Sequence, residues 1–439
     1  MLTSEDNELI TRVGPGTPMG DLLRRYWVPA CLSVELPDPG GAPLRIRLLG
    51  EDLVAFRDRQ GKVGLLEEAC PHRGASLYFG RNDDCGLRCV YHGWQFDTAG
   101  ACVDMPSEPR PFAERIRARA YPTQESRGIV WAYLGPPETI TPLPDYGHHG
   151  PPENELPASK MRTEANWVQV MEGNLDTAHI SHLHQFFGVE DIPDDGTDRP
   201  GYPSSAMSWK LWWADRAPTL EIEDTWFGFR YAGLRRTPNG HRHVRMTSWV
   251  APWTTIVAFV PYTINGQLCV PIDDYSCWRY NPASQRLRFP DYVPTGSVFD
   301  VTPFRTRTNA PRSPIIPRDY TAANDYQIDR EVQRTTSFTG IFDFNSQDSM
   351  VQESMGAISR RPKEHLGSTD VAVMRMRDRL IEAARALAGG GTPPALGGAG
   401  DFEDIRGAEK VLEPDEDWRL LGTRNDPVVQ AAEGLIPQR

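Results

Sequence analysis

Four metal-capable side chains on two short loops constrain the fold of this chain more than any other feature. Cys70-Pro-His72 is followed, after sixteen residues, by Cys89-Val-Tyr-His92. Each loop thus offers one thiolate and one imidazole, and a fold that uses them must hold the two loop tips together. A [2Fe-2S] cluster takes such a set, with both sulfurs on one iron and both imidazoles on the other. Exchanging two thiolates for imidazoles raises the potential to about −150 to +300 mV. A tetrahedral structural zinc is the competing occupant. Zinc spacing, however, usually pairs cysteine with cysteine and histidine with histidine. Gly74 and Gly93 each lie just past a histidine, where a tight turn around a metal needs backbone freedom. The preferred reading is a Rieske-type one-electron centre with Cys70, His72, Cys89 and His92 as ligands.

The 439 residues leave room for two or three domains. A formal charge of −12 argues against sequence-independent binding to nucleic acid or an anionic membrane. Residues 1–9 are polar, so no secretory signal is expected, and a cytoplasmic location follows. The most apolar stretch, residues 249–262, contains Pro252 and Pro261 and cannot form an uninterrupted span. Cys31, Cys85, Cys102, Cys269 and Cys277 show no motif spacing and read as reduced thiols.

Along the chain, Asp21 to Tyr26 reads as a short helix capped by Thr17 within an N-terminal helical segment, 1–45. Short alternating runs such as Leu44 to Leu49 and Ile129 to Leu134 predict a small β domain over 46–135 that holds the two loops. A proline-rich linker, 136–157, contains the His148-His149 pair, read as solvated surface. A catalytic domain is expected over 158–388, with a helical segment from Asn166 to Phe187 and strand-like runs from Leu220 to Tyr280. It ends in a helix capped by Asp370, with Val373, Met376, Leu380, Ala384 and Leu387 on one face. Residues 389–400 are rich in glycine and read as a flexible linker; the acidic tail, 401–439, is expected to dock through Trp418 and Leu420.

A second constellation lies at Asp176-Thr-Ala-His179-Ile-Ser-His-Leu-His184. Residues five apart differ by about 140° on an ideal helix, so His179 and His184 converge only if the helix distorts or ends between them. Two imidazoles and a carboxylate make the facial set of a non-haem iron(II) site with open positions. Asp348 is a candidate third ligand, expected on a helix face with Val351 and Met355 and directed into an apolar interior; an N-cap is the alternative. His182 reads as a supporting or packing residue.

The chain resembles the oxygenase components (alpha subunits) of the Rieske non-haem iron aromatic-ring oxygenases, most of all the phthalate 4,5-dioxygenase branch. It is similar also to 5,5'-dehydrodivanillate O-demethylase. The resemblance runs through Gly16-Thr-Pro-Met-Gly, the two Cys/His loops, Met105-Pro-Ser-Glu-Pro, Glu172-Gly-Asn-Leu-Asp-Thr-Ala-His, Gln347-Asp348 and Glu364-His-Leu-Gly. It implies an α+β fold, with the Rieske β domain placed before a catalytic domain of helix-grip, START-like type. It also implies a [2Fe-2S] cluster on Cys70, His72, Cys89 and His92, and a mononuclear Fe(II) on His179, His184 and Asp348. Asp176 then acts as the catalytic bridge to a cluster-ligand histidine of the neighbouring subunit in a homotrimer or stacked trimers.

Electrons would come from NAD(P)H through a separate flavin/iron-sulfur reductase, directly or by way of a ferredoxin, with O2 as co-substrate. The reaction expected is monooxygenation, by hydroxylation or O-demethylation, of a substituted aromatic acid or ether. The alternatives are ring cis-dihydroxylation of a phthalate-like carboxylate and, in another class, a plain Rieske electron carrier. Arg230 and Arg245 are candidates to bind a substrate carboxylate, or else surface arginines. Thr219 stands where the branch carries an arginine in an Ala-Pro-Arg segment, which favours a substrate with fewer charges than phthalate.

Overall fold

The computed structural model describes residues 2–144, 155–192, 200–201, 203, 205–258, 262–263, 266–282, 284–285, 313–396 and 402–426. Two short helices open it. Thr3 caps α1 (Ser4–Thr11) by accepting from Asp6 N, and Thr17 caps α2 (Pro18–Leu23) by accepting from Gly20 N. Pro18 in the first turn starts α2 three residues before the predicted Asp21. Buried strand β1 (Trp27–Leu32) follows, inside a segment expected to be helical. Its partner is a strand about a hundred residues on, so no local pattern announces the pairing.

The β-rich first half continues with β2 (Leu44–Leu48), β3 (Glu51–Arg57), β4 (Val63–Glu67), β5 (Arg81–Asp83), β6 (Gly86–Arg88), β7 (Gln95–Phe96), β8 (Cys102–Asp104), β9 (Thr123–Ser126) and β10 (Ile129–Tyr133). They form antiparallel sheets in the orders β2-β3-β4, β5-β6-β7-β8 and β1-β10-β9. A small core of Val54, Phe56, Leu66, Leu77, Leu87, Trp94 and Phe96 packs around Cys70 and Cys89.

The second half holds β11 (Glu155–Leu156), β12 (Ser159–Thr163), α3 (Trp167–Leu175), α4 (Ser205–Ala214), β13 (Thr219–Thr225), β14 (Gly228–Arg236), β15 (Arg242–Val250) and β16 (Thr254–Ile256). After these come β17 (Tyr262–Thr263), β18 (Gln267–Pro271), β19 (Cys277–Asn281), β20 (Ser284–Gln285), α5 (Arg330–Thr335), α6 (Phe344–Ser354), α7 (Val371–Ala388) and β21 (Gly407–Leu412). The principal sheet runs β12-β19-β18-β16-β15-β14-β13, with β21 paired to β15 and β17. One large core joins the halves: Leu49 N and Gly50 N donate to the carbonyls of Pro271 and Ile272, and Tyr280 Oη donates to Ala30 O.

Several expectations shift. His148 and His149 lie outside the described residues. The helical segment from Asn166 stops at Leu175 rather than Phe187. Asp370 stands at the N-cap of α7, but its side chain makes no bond to the helix and accepts from Gly367 N instead. Within the glycine-rich stretch, residues 389–392 are exposed, whereas Pro394 O accepts from Tyr26 Oη and Ala395 is buried, so 393–396 pack on the body. The tail docks through β21 and through Trp418, whose Nε1 donates to Glu221 at 2.8 Å. Leu420 is exposed, and Leu421 takes the buried place expected for it. No described helix is long and apolar enough to cross a membrane.

Candidate metal centres and the family

The two Cys/His loops adopt the same turn. In the first, Cys70 N donates to Ala75 O and Gly74 N to Cys70 O; in the second, Cys89 N donates to Trp94 O and Gly93 N to Cys89 O. Gly74 at φ 73° and Gly93 at φ 78° sit in the left-handed region, as these turns require. A Cβ on Gly93 would also lie 2.7 Å from Pro106 Cγ.

The turns bring Cys70 and Cys89 side by side in the small core, and place the rings of His72 and His92 with centroids 4.4 Å apart. Trp94 stacks on His72 at 4.3 Å and 8°. Burial, with the Cys89 thiol beside it, pushes the Cys70 thiol up to about 11. His92 Nδ1 is buried without a hydrogen-bond partner. Paired sulfurs, paired imidazoles and this orphaned nitrogen fit a cluster with one iron on each pair.

The second constellation assembles because α3 ends. Asp176 closes the helix, its Oδ1 accepting from Ala178 N at 2.7 Å and His179 N at 3.3 Å, and a 3-10 turn spans His179–Ser181. That break brings together two side chains that a continuous helix would hold about 140° apart. His184 Nε2 lies 3.3 Å and His179 Nε2 3.7 Å from Asp348 Oδ1. The candidate donor atoms of His179, His184 and Asp348 all fall within 4.8 Å of one another. Burial pushes the Asp348 carboxyl up, but His184 and His179 outweigh it and hold the group below the usual carboxylate range. Burial likewise lowers His179, while Asp176 and Asp348 more than reverse this and raise it.

Asp343 is the N-cap of α6, accepting from Ser346 N, so Asp348 is free of that role. The apolar face predicted for this helix is not there: Met355 is exposed, and α6 buries Ser346, Gln347, Ser349 and Gln352. These polar groups find partners that the sequence pattern conceals, among them Arg279, which donates to Ser349 Oγ at 3.0 Å. His182 is exposed, with its ring 6.0 Å from Phe338.

Neither candidate arginine reaches open space beside this set. Arg230 projects from the outer side of β14, opposite Tyr231, and donates to Glu223, to Leu421 O and to Arg419 O. It fastens the tail, a correction to the substrate role considered above. Arg245 does lie on the helix side, 4% exposed, with Nη1 donating to Thr177 Oγ1 at 3.2 Å and its guanidinium over Trp212. Beside it Arg235, 1% exposed, donates from Nη2 to Thr177 O at 2.7 Å. Two buried arginines therefore grip the residue between Asp176 and Ala178.

His243 and Glu409 complete this buried polar layer at 2.7 Å, and Trp212 Nε1 also donates to Glu409. Sequence reasoning missed it. The available signal was that Arg235, His243 and Arg245 fall on the same alternating face of β14 and β15 as Phe229, Tyr231 and Trp249. Thr219 is exposed on edge strand β13, where it has no bearing on the charge of an interior site.

Comparison with known proteins agrees with this geometry. Residues 26–122 match the Rieske [2Fe-2S] domain, and residues 132–435 match the model described as LigXa C-terminal domain like. The phthalate 4,5-dioxygenase oxygenase subunit of Pseudomonas putida is 35% identical over 95% of this chain and 94% of its own length. The 5,5'-dehydrodivanillate O-demethylase oxygenase subunit of a Sphingobium strain is 28% identical over 90% of this chain and 84% of its own. In fold, the chain is similar to dicamba monooxygenase, with a TM-score of 0.55 at 19% identity over 84% of this chain and 99% of that one. The chain belongs to the Rieske non-haem iron oxygenases, as an oxygenase subunit that carries a [2Fe-2S] domain ahead of its catalytic domain.

Proposed function

We propose that this chain is the terminal oxygenase of a system that uses reductase-supplied electrons and O2 to monooxygenate a substituted aromatic acid or ether, by hydroxylation or O-demethylation. The observation that carries the oxygenase reading is the convergence of His179, His184 and Asp348 at the broken end of α3. A plain electron carrier has no use for that second donor set. Cys70, His72, Cys89 and His92 would hold the cluster, and His179, His184 and Asp348 would hold a mononuclear iron. When bound, these groups supply single electrons and a place where dioxygen is reduced beside the substrate.

The chain's own residues prepare that place. His179, His184 and Asp348 would hold the iron by three donors, Phe344 covers the His184 ring, and Asp176 anchors the His179 turn through two backbone N–H groups. Asp176 Oδ2 lies 3.7 Å from His179 Nδ1, and the side chain is 30% exposed. This supports its role as a bridge, at a head-to-tail contact in a trimer, to a cluster histidine of the next subunit.

Insertion of one oxygen atom is supported by the O-demethylase relative that spans 90% of the chain. Ring cis-dihydroxylation is the second reading, favoured by the phthalate dioxygenase relative at 35% identity. Turnover under labelled dioxygen decides between them. The expected product carries one labelled atom, or formaldehyde is released from a methoxy substrate. A cis-diol with two labelled atoms would establish the second reading.

A further inference from the structure

We propose that Gln347 is a positioning residue which sets the tautomer of His184 so that Nε2 is presented to the metal; this rests on the reading of His179, His184 and Asp348 as iron ligands. The side-chain amide of a glutamine can be oriented either way, so its neighbours must decide. Gln347 Nε2 lies 2.6 Å from the carbonyl oxygen of Ile341, which can only accept. The amide nitrogen is therefore committed to Ile341, and it is Oε1 that faces His184 Nδ1, at 2.7 Å.

An amide oxygen also only accepts, so Nδ1 must carry the hydrogen. In a neutral imidazole the lone pair then falls on Nε2, the atom 3.3 Å from Asp348 Oδ1. Gln347 is 0% and His184 1% exposed, which leaves no room for water to take over the task. Phe344 stacks on the His184 ring at 3.8 Å and 18° and holds its plane, while the amide determines which nitrogen is the donor.

The two histidines are thus oriented by different chemistry. His179 has a carboxylate behind Nδ1, and His184 has a neutral amide anchored to a main-chain carbonyl. Adjacent residues of α6, Gln347 and Asp348, supply the orienting group for one ligand and the whole of another. Without the acceptor, His184 can place its hydrogen on Nε2 and donate to Asp348. That arrangement satisfies both side chains and competes with the metal for both.

The test uses the full chain, with mononuclear iron removed and the cluster retained in its oxidised, diamagnetic form, and Co(II) as the probe. Equilibrium dialysis gives the affinity, and the high-spin Co(II) EPR signal reports the ligand geometry. Gln347→Leu should weaken Co(II) binding about 10- to 100-fold and alter the signal, the range typical for losing a group that orients a ligand. Gln347→Glu keeps an acceptor for Nδ1 but has no N–H for Ile341, and it should stay close to wild type in both readouts.

Wild-type affinity in Gln347→Leu would overturn the proposal. So would equal loss in both variants, because the amide would then serve only to tie the Ile341 turn. His179→Ala is the control for the ligand reading: if it binds Co(II) as tightly as wild type, the metal is not held by this set and the proposal falls with it.

Discussion

At the scale of single residues, Asp176 and His179 separate two roles that lie side by side. Asp176 faces His179 Nδ1 from 3.7 Å but is not among the three groups that converge on one point. Asp176→Asn should retain both metal centres, yet slow cluster reoxidation in a single turnover with substrate and O2, because the amide lacks the charge that strengthens a hydrogen bond to imidazole. An unchanged reoxidation rate would remove Asp176 from the electron path. His179→Ala should lose only the mononuclear iron. Analysis should fall from about three irons to about two per chain, with two labile sulfides unchanged. Loss of the cluster absorption in a folded His179→Ala protein would contradict two independent sites.

Among the elements, α3 does most to place the catalytic side, and its hold on the body is electrostatic as well as apolar. Glu172 accepts from Arg361 Nε at 2.8 Å and from Arg377 Nε at 2.7 Å, and Arg361 also donates to Asn7. One carboxylate thereby ties α3 to α7, to the segment after α6 and to α1. Burial pushes Glu172 up, but the two guanidinium groups overcome this and hold it below the ordinary glutamate range. A carboxyl with a depressed folded pKa stabilises the fold above its unfolded value, about 4.3. That contribution is lost as pH falls through the lower folded value.

Glu172→Gln should therefore destabilise the chain by about 3 kcal/mol near neutrality, since it takes the carboxylate from buried Arg361 and leaves Arg377 with Glu364 alone. The difference from wild type should shrink towards acid pH, and denaturant melts at several pH values would show it. An equal deficit at every pH would mean that packing rather than charge is lost. The turn after β21, which begins at Trp418, offers a second case at the other end of the chain. Trp418→Ala should cost about 3–5 kcal/mol by opening a cavity where the tail docks, readable as a lower melting temperature or early proteolysis after residue 400.

For the whole molecule, the proposed head-to-tail trimer predicts that electrons cross between subunits. Co-expressed His92→Ala and His179→Ala chains, each inactive alone, should regain part of the activity in mixed assemblies, because the intact cluster of one subunit can serve the intact iron site of the next. No recovery in mixed assemblies, despite confirmed cluster and mononuclear iron, would place electron transfer within a single chain. The fold permits the test because each donor set is built by its own structural half, with a shared core between them.

Metal chemistry was legible from the residues alone. The Cys/His loops and the Asp-x-x-His-x-x-x-x-His stretch are local, and residue type with spacing limits what such clusters can bind. The sequence also showed the short alternating strands and the final amphipathic helix, since both depend on periodicity within a few residues. The rest depends on contacts between distant segments. The pairing of β1 with β10 is one example, and the ending of α3 at Asp176 another. The tail fastening by Arg230 and the Arg235–Arg245 grip on Thr177 are equally non-local. Buried polar residues are the hardest to read in advance. The sequence of Gln347 resembles that of any surface glutamine, and only the carbonyl of Ile341 on one side and His184 on the other turn it into an orienting group.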